Sequence, residues 1–152
     1  KKTESTEVLL VKPMTFMNAS GYAVSKILQY YNSPAGRAGV PINNLWVIHD
    51  DVDLPLGTLR LRPDGGSAGQ KGMKSIIERL GTQNFPRLRI GIDRPPGRME
   101  AAAYVLQDFS NADKQMLAPT LDRGVDAVLT FVMQGLDAAM NKYNGEAVDG
   151  KR

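Results

Sequence analysis

The 152-residue chain has no cysteine, one tryptophan and a single histidine, His49. Without cysteine there is no disulfide framework, no thiolate zinc site and no cysteine nucleophile. One histidine excludes a multi-histidine metal cage. Long apolar runs are missing too. Val8-Leu9-Leu10-Val11 and Leu45-Trp46-Val47-Ile48 fall far short of the roughly 20 residues that cross a bilayer, and Lys1-Lys2-Thr3-Glu4-Ser5 has no apolar signal core. The chain therefore reads as soluble and intracellular, with no membrane partner. Its length suits one compact domain over residues 1–152, able to bury a core without a metal or disulfide staple.

The net charge is only +3, but it is unevenly placed. Thr58 to Arg98 holds nine basic residues against three acids, a local +6, and the remainder of the chain is net negative. A basic middle on a balanced body points to a polyanion, nucleic acid first, or else to a solvated charged surface with no ligand.

Val8–Val11, closed by Pro13, reads as a buried strand, and Leu45–Ile48 as a strand covered on both faces of a largely parallel sheet. Between them Asn18 or Ser20 is placed to cap a helix with Val24, Ile27, Leu28 and Tyr31 on its apolar face. A strand, helix, strand crossover makes the fold class α/β. Thr58–Arg62 and Arg87–Ile90 alternate, which predicts two strands with a row of guanidinium groups outside. Met73, Ile76, Ile77 and Leu80 predict a helix between them, stopped by Gly81. The last third is helical. Ser110 and Asp113 form a capping box, Leu117, Leu121, Val125, Val128 and Val132 form a stripe that core burial explains, and Pro119 splits or kinks the helix. Ser33–Val40, rich in Gly, Pro and Ala, reads as a surface loop.

Three segments carry residues suited to chemistry. His49-Asp50-Asp51-Val52-Asp53 follows the Leu45–Ile48 strand, at the carboxyl edge where α/β sites form. Its carboxylates suit a divalent metal, a histidine general base with its orienting carboxylate, or a charged turn before Pro55-Leu56-Gly57. Asp64-Gly65-Gly66-Ser67-Ala68-Gly69-Gln70-Lys71-Gly72 runs into a helix start, where free amides and Lys71 and Lys74 favour the phosphate of a nucleic acid; a plain flexible loop is the alternative. It lacks the P-loop ending and the dinucleotide fingerprint. In Pro13–Gly21, Asn18 is either a helix cap or a hydrogen-bonding group for a substrate carbonyl or ribose. Met14, Phe16 and Met17 are either core or an adaptable apolar wall.

Taken in order and spacing, Lys12-Pro13-Met14-Thr15-Phe16-Met17-Asn18-Ala19-Ser20-Gly21, His49-Asp50-Asp51-Val52-Asp53-Leu54-Pro55-Leu56-Gly57, Gly65-Gly66-Ser67-Ala68-Gly69-Gln70-Lys71-Gly72-Met73-Lys74-Ser75-Ile76-Ile77 and Phe85-Pro86-Arg87-Leu88-Arg89-Ile90-Gly91-Ile92 resemble the bacterial-type peptidyl-tRNA hydrolase family over nearly the whole chain. Pro95–Met99 and Tyr104–Ser110 look most like cyanobacterial and plant-organelle members. The resemblance implies a monomeric three-layer αβα fold with a mixed, mainly parallel sheet. It implies hydrolysis of the ester between a peptide and the 3′-terminal ribose of tRNA, without metal or cofactor, in the cytoplasm or the chloroplast stroma, as part of ribosome rescue. Carried over by position, Asn18 is a substrate-binding asparagine, Met17 a wall of the peptide groove and Asp50 the carboxylate that positions the catalytic histidine. Gly69 and Lys71 then belong to substrate binding, and Lys74, Arg94 and Arg98 to the tRNA backbone, with no metal ligand.

Two departures follow. The family's first strand, its glycine-asparagine loop and the histidine general base precede the segments matched here, so the N-terminal strand is expected to be absent and the chain to be a truncated form of weak or no activity. His49 matches the histidine that immediately precedes the orienting aspartate, and adjacent strand residues point to opposite faces. Lys71 and Gln70 stand where many members have asparagine and histidine. A non-catalytic RNA-binding member is the second reading, and a Mg²⁺ phosphatase built on Asp51-Val52-Asp53 the third.

Overall fold

The computed structural model describes residues 7–32 and 41–145. In chain order its elements are a 3₁₀ turn at Met17–Ala19, helix α1 (Ser20–Tyr31), a 3₁₀ turn at Ile42–Asn44, strand β1 (Val47–Asp51), strand β2 (Leu59–Arg62), helix α2 (Lys71–Leu80), strand β3 (Arg87–Gly91), and helices α3 (Ala101–Tyr104), α4 (Asn111–Gln134) and α5 (Leu136–Tyr143). The described residues form two compact units. One holds residues 7–32 and 66–83, the other residues 41–65 and 84–145. The loop expected at Ser33–Val40 lies outside the described residues.

The first unit is a pair of helices, α1 on α2. Small residues set their spacing. Ser20, Gly21 and Ser25 form the buried face of α1, and a Cβ on Gly21 would lie 2.1 Å from the Ser75 carbonyl oxygen. The Gly21 amide donates to the Ser75 hydroxyl at 3.0 Å. The expected apolar face, Val24, Ile27, Leu28 and Tyr31, is only half-buried. The expected cap is also different: α1 begins at Ala19 with no side-chain cap, Asn18 lies in the preceding turn, and the Ser20 hydroxyl donates backwards to the Met17 carbonyl at 2.8 Å. α2 matches its sequence signals more closely. Gly72, Met73 and Ile76 are buried, and Gly81 ends the helix at φ 68°, a left-handed conformation natural to glycine.

Val8–Val11 is not a strand. It is exposed along its length and makes no ladder with the described strands, so the apolar run does not obtain the two-sided cover that a buried strand needs. The first expected crossover goes with it.

The second unit is a mixed α/β layer pair. The sheet has the order β1-β3-β2, parallel between β1 and β3 and antiparallel between β3 and β2. It is therefore a mixed sheet, as expected, with one parallel and one antiparallel pairing. Leu59, Leu61 and Leu88 share one sheet face and pack with Ala127 of α4 and with Ala139 and Tyr143 of α5. The Trp46 and Phe131 rings close the margin of this core at 4.3 Å. The free edge of β2 is covered. Leu59 forms an antiparallel bridge with Gly145, and the Asn144 side chain meets the amide and carbonyl of Leu61 at 2.6 and 3.3 Å.

Three expectations change in this unit. β1 starts and ends later than the apolar run, so His49, Asp50 and Asp51 are strand residues rather than a loop, and Ile48 is 51% exposed rather than covered. Of the guanidinium row, Arg62 is outside, but Arg87 is only 1% exposed. α4 runs unbroken through Pro119 and keeps its capping box. It buries Thr120, Gly124, Ala127 and Thr130, leaving Leu121 and Val125 of the expected stripe exposed. Small residues win this face because α4 lies close to β3, where Gly124 comes against Leu88.

Candidate functional site

The predicted site residues divide between the units. Met17, Asn18, Gly69, Lys71 and Lys74 belong to the first; Asp50, Arg94 and Arg98 belong to the second.

In the first unit the Met17–Ala19 turn and the start of α2 are brought together. Gln70 caps α2, its side-chain oxygen accepting from the Met73 amide at 2.7 Å, and its amide nitrogen reaches the Met17 sulfur at 3.5 Å. Gly72 makes room for that methionine, because a Cβ there would lie 2.5 Å from Met17 Sδ. Asn18 is exposed on the same turn, and Gly69, at φ 81°, opens the loop before the helix. Lys71 and Lys74 are exposed on the first turn of α2, where they add positive charge to free amides; Lys74 also pairs loosely with Glu78 at 3.8 Å. The cap by Gln70 has no clear signal in the sequence, since glutamine is not among the favoured capping residues.

In the second unit the parallel strands β1 and β3 end side by side. On one sheet face, by register and alternation, stand His49, Asp51, Arg87, Arg89 and Arg60. Asp51, 5% exposed, pairs with Arg89 and also accepts from the Asp53 amide at 2.8 Å. Asp53 pairs with Arg94 at 2.7 Å. The first pair links β1 to β3, and the second joins the segments that follow the two strands. A cation at Asp51-Val52-Asp53 would have to displace a guanidinium, and no group of three or more candidate ligands occurs among the described residues. Arg94 is thus partly neutralised by Asp53, while Arg98 is exposed on the surface.

Asp50 is half-buried on the other face, in register with Ile90. His49 stands on the opposite face. Its Nδ1–H donates to the Asp50 backbone carbonyl at 2.7 Å, and its ring stands on the Arg89 side. Burial lowers the His49 pKa below its ordinary value of 6.5, with Arg89 adding to the effect, against the opposing pull of the Asp50 carbonyl and of Asp51 and Asp50. The folded state thus holds the ring neutral where the unfolded chain would protonate it. This contribution to stability is fully present above the ordinary value of 6.5 and is lost as pH falls from there towards the lower folded value. Urea midpoints between pH 7.5 and 5 should drop more for the wild type than for His49→Gln; equal slopes would contradict this account.

No helix among the described residues is long and apolar enough to cross a membrane. The sequence profile of a family described as peptidyl-tRNA hydrolase matches residues 1–151. A peptidyl-tRNA hydrolase of Chloroflexus aggregans is 50% identical over 137 residues, covering 90% of this chain and 70% of that protein. A chloroplastic peptidyl-tRNA hydrolase of Arabidopsis thaliana is 42% identical over 138 residues, covering 90% and 46%. Among solved structures, the peptidyl-tRNA hydrolase of Acinetobacter baumannii is similar with a TM-score of 0.77 at 28% identity, covering 88% of this chain and 64% of that one. The chain thus spans less than two thirds of that solved structure. The motif order, the mixed α/β fold and these similarities agree, and the chain belongs to the peptidyl-tRNA hydrolase family.

Proposed function

We propose that the chain serves hydrolysis of the ester joining a peptide to the 3′ ribose of tRNA, the reaction that frees tRNA for reuse and contributes to ribosome rescue. In this reading Asn18, Gly69 and Lys71 hold the substrate's polar end and Met17 walls the peptide. Lys74, Arg94 and Arg98 meet phosphates of the acceptor arm, so binding weakens with salt. Asp50 orients an imidazole general base. The protein works as a monomer without a cofactor, in the cytoplasm or the chloroplast stroma; the chloroplastic Arabidopsis relative supports the second compartment.

The observation that carries the mechanistic part is the alternation on β1. Asp50 and the chain's one imidazole, His49, face opposite sides of the sheet. The 152 residues alone are therefore expected to bind peptidyl-tRNA yet to cleave it weakly or not at all. A single-turnover assay with one peptidyl-tRNA decides this. Salt-sensitive binding with hydrolysis within about tenfold of the uncatalysed rate is expected, and His49→Ala should change nothing, since removing a true general base costs roughly a hundredfold or more. Rapid turnover abolished by His49→Ala would overturn the assignment. Binding without cleavage, even when an imidazole is supplied in solution, would favour the RNA-binding reading instead.

A further inference from the structure

Arg87 has no part in the proposed chemistry, yet it is the largest fully buried side chain among the described residues, 1% exposed. Its guanidinium is fixed at two points of the backbone. Nη1 donates to the Gly65 carbonyl, while Nε and Nη2 donate to the Phe85 carbonyl at 3.3 and 3.1 Å. The cation also lies over the Phe85 ring, 4.6 Å from its centroid, and Asp64 supplies a nearby negative charge. Gly65, at φ 134°, adopts a backbone conformation that favours glycine, and Arg87 Nη1 sits 4.0 Å from where its Cβ would be.

The place of these two carbonyls in the chain gives the contact its meaning. Residues 66–83 leave the second unit directly after Gly65 and return at Asn84. One side chain therefore holds the last residue before the excursion and the second residue after it. The excursion carries Gly69, Gln70, Lys71 and Lys74, the loop and helix start assigned above to substrate and phosphate.

We infer that Arg87 is a positioning residue, a buried fork that holds the backbone on either side of residues 66–83, the segment assigned above to RNA. The inference rests on the proposed function for what the segment binds, but not for the clamp itself. A lysine keeps the charge and cannot span two carbonyls with the planar geometry of a guanidinium; a methionine keeps the bulk and loses the donors.

The test compares Arg87→Lys, Arg87→Met and, as a control of the same strand with its side chain on the opposite face, Leu88→Ala. Amide hydrogen exchange should accelerate by about tenfold across residues 66–74 in both Arg87 variants, as expected for the loss of one charge-assisted hydrogen bond, while α4 and α5 exchange as in the wild type. Leu88→Ala should instead loosen α4 and α5. If the methionine variant does not fold, the lysine variant decides. Unchanged exchange in 66–74, or an increase there no greater than that in α4 and α5, would overturn the inference. An acceptor-stem RNA hairpin provides the second arm, with affinity expected to fall severalfold in Arg87→Lys. If the wild-type chain binds no hairpin, the proposed function fails and the exchange arm still judges the clamp.

Discussion

Gly91→Ala is expected to be among the most damaging single-methyl additions in the protein. Gly91 ends β3 opposite Asp51, and a Cβ there would lie 2.0 Å from the Pro55 carbonyl oxygen and 2.9 Å from that of Leu54. Both obstacles are backbone, and both are in use. The Pro55 carbonyl accepts from the Thr58 amide at 3.0 Å and the Leu54 carbonyl from the Asp93 amide at 3.0 Å, so moving them opens the β1–β2 turn and the exit from β3 together. Overpacking ordinarily costs about 1–3 kcal/mol; a displacement of more than an ångström in hydrogen-bonded backbone belongs above that range. At roughly 2–4 °C per kcal/mol for a chain of this size, the melting temperature should fall by about 10 °C or more. Gly81→Ala is the comparison. Its φ of 68° strains alanine but nothing lies within 4 Å of the added Cβ, so its cost should stay near 1 kcal/mol. Circular-dichroism melts of the two variants check the ranking, and a Gly91→Ala protein melting within about 2 °C of the wild type, less than 1 kcal/mol for this size, would refute it.

The contrast between these glycines marks the boundary of what the sequence can disclose. Gly81 was legible as a helix stop because its role is local: a glycine after an apolar helical face, in a left-handed conformation. The Ser110–Asp113 capping box and the alternation of Leu59 and Leu61 were legible for the same reason. Gly91 and Gly21 give no local sign, since their need for a missing side chain is created by carbonyls 36 and 54 positions away in the chain. Arg87 misled for a related reason. Alternation assigned it correctly to the polar face of β3, but whether that face meets water depends on Gly65 and Phe85 closing over it. Val8–Val11 misled in the opposite direction, because apolar composition states what a segment would gain from cover and not whether cover is present. Motif order singles out Met17, Asn18, Gly69 and Lys71 as candidates, whereas Gln70 as the cap that touches Met17 follows only from the folded geometry.

Asp51→Asn should rank beside Gly91→Ala, through charge rather than volume. Asp51 is the acid that pairs with Arg89 on a sheet face that also carries Arg87 and Arg60, with Arg60 directly opposite Arg89 in the ladder. Like charges so placed repel, and the Asp51 carboxylate, itself 5% exposed, is what makes the cluster tolerable. Asparagine keeps an oxygen for the Asp53 amide but removes the charge, leaving Arg89 without its ion-pair partner. Breaking a buried pair in this way costs about 3–5 kcal/mol, and because the Arg89 side chain keeps some access to water the lower end applies, about 3 kcal/mol. Arg89→Met removes the other partner and relieves the repulsion with Arg60. The double variant should therefore lose much less than the sum of the two single losses, with a coupling of about 2 kcal/mol in urea denaturation. Losses that add to within about 0.5 kcal/mol would mean that the two side chains do not depend on each other, and the ion pair could no longer be the bond that holds the ends of β1 and β3 together.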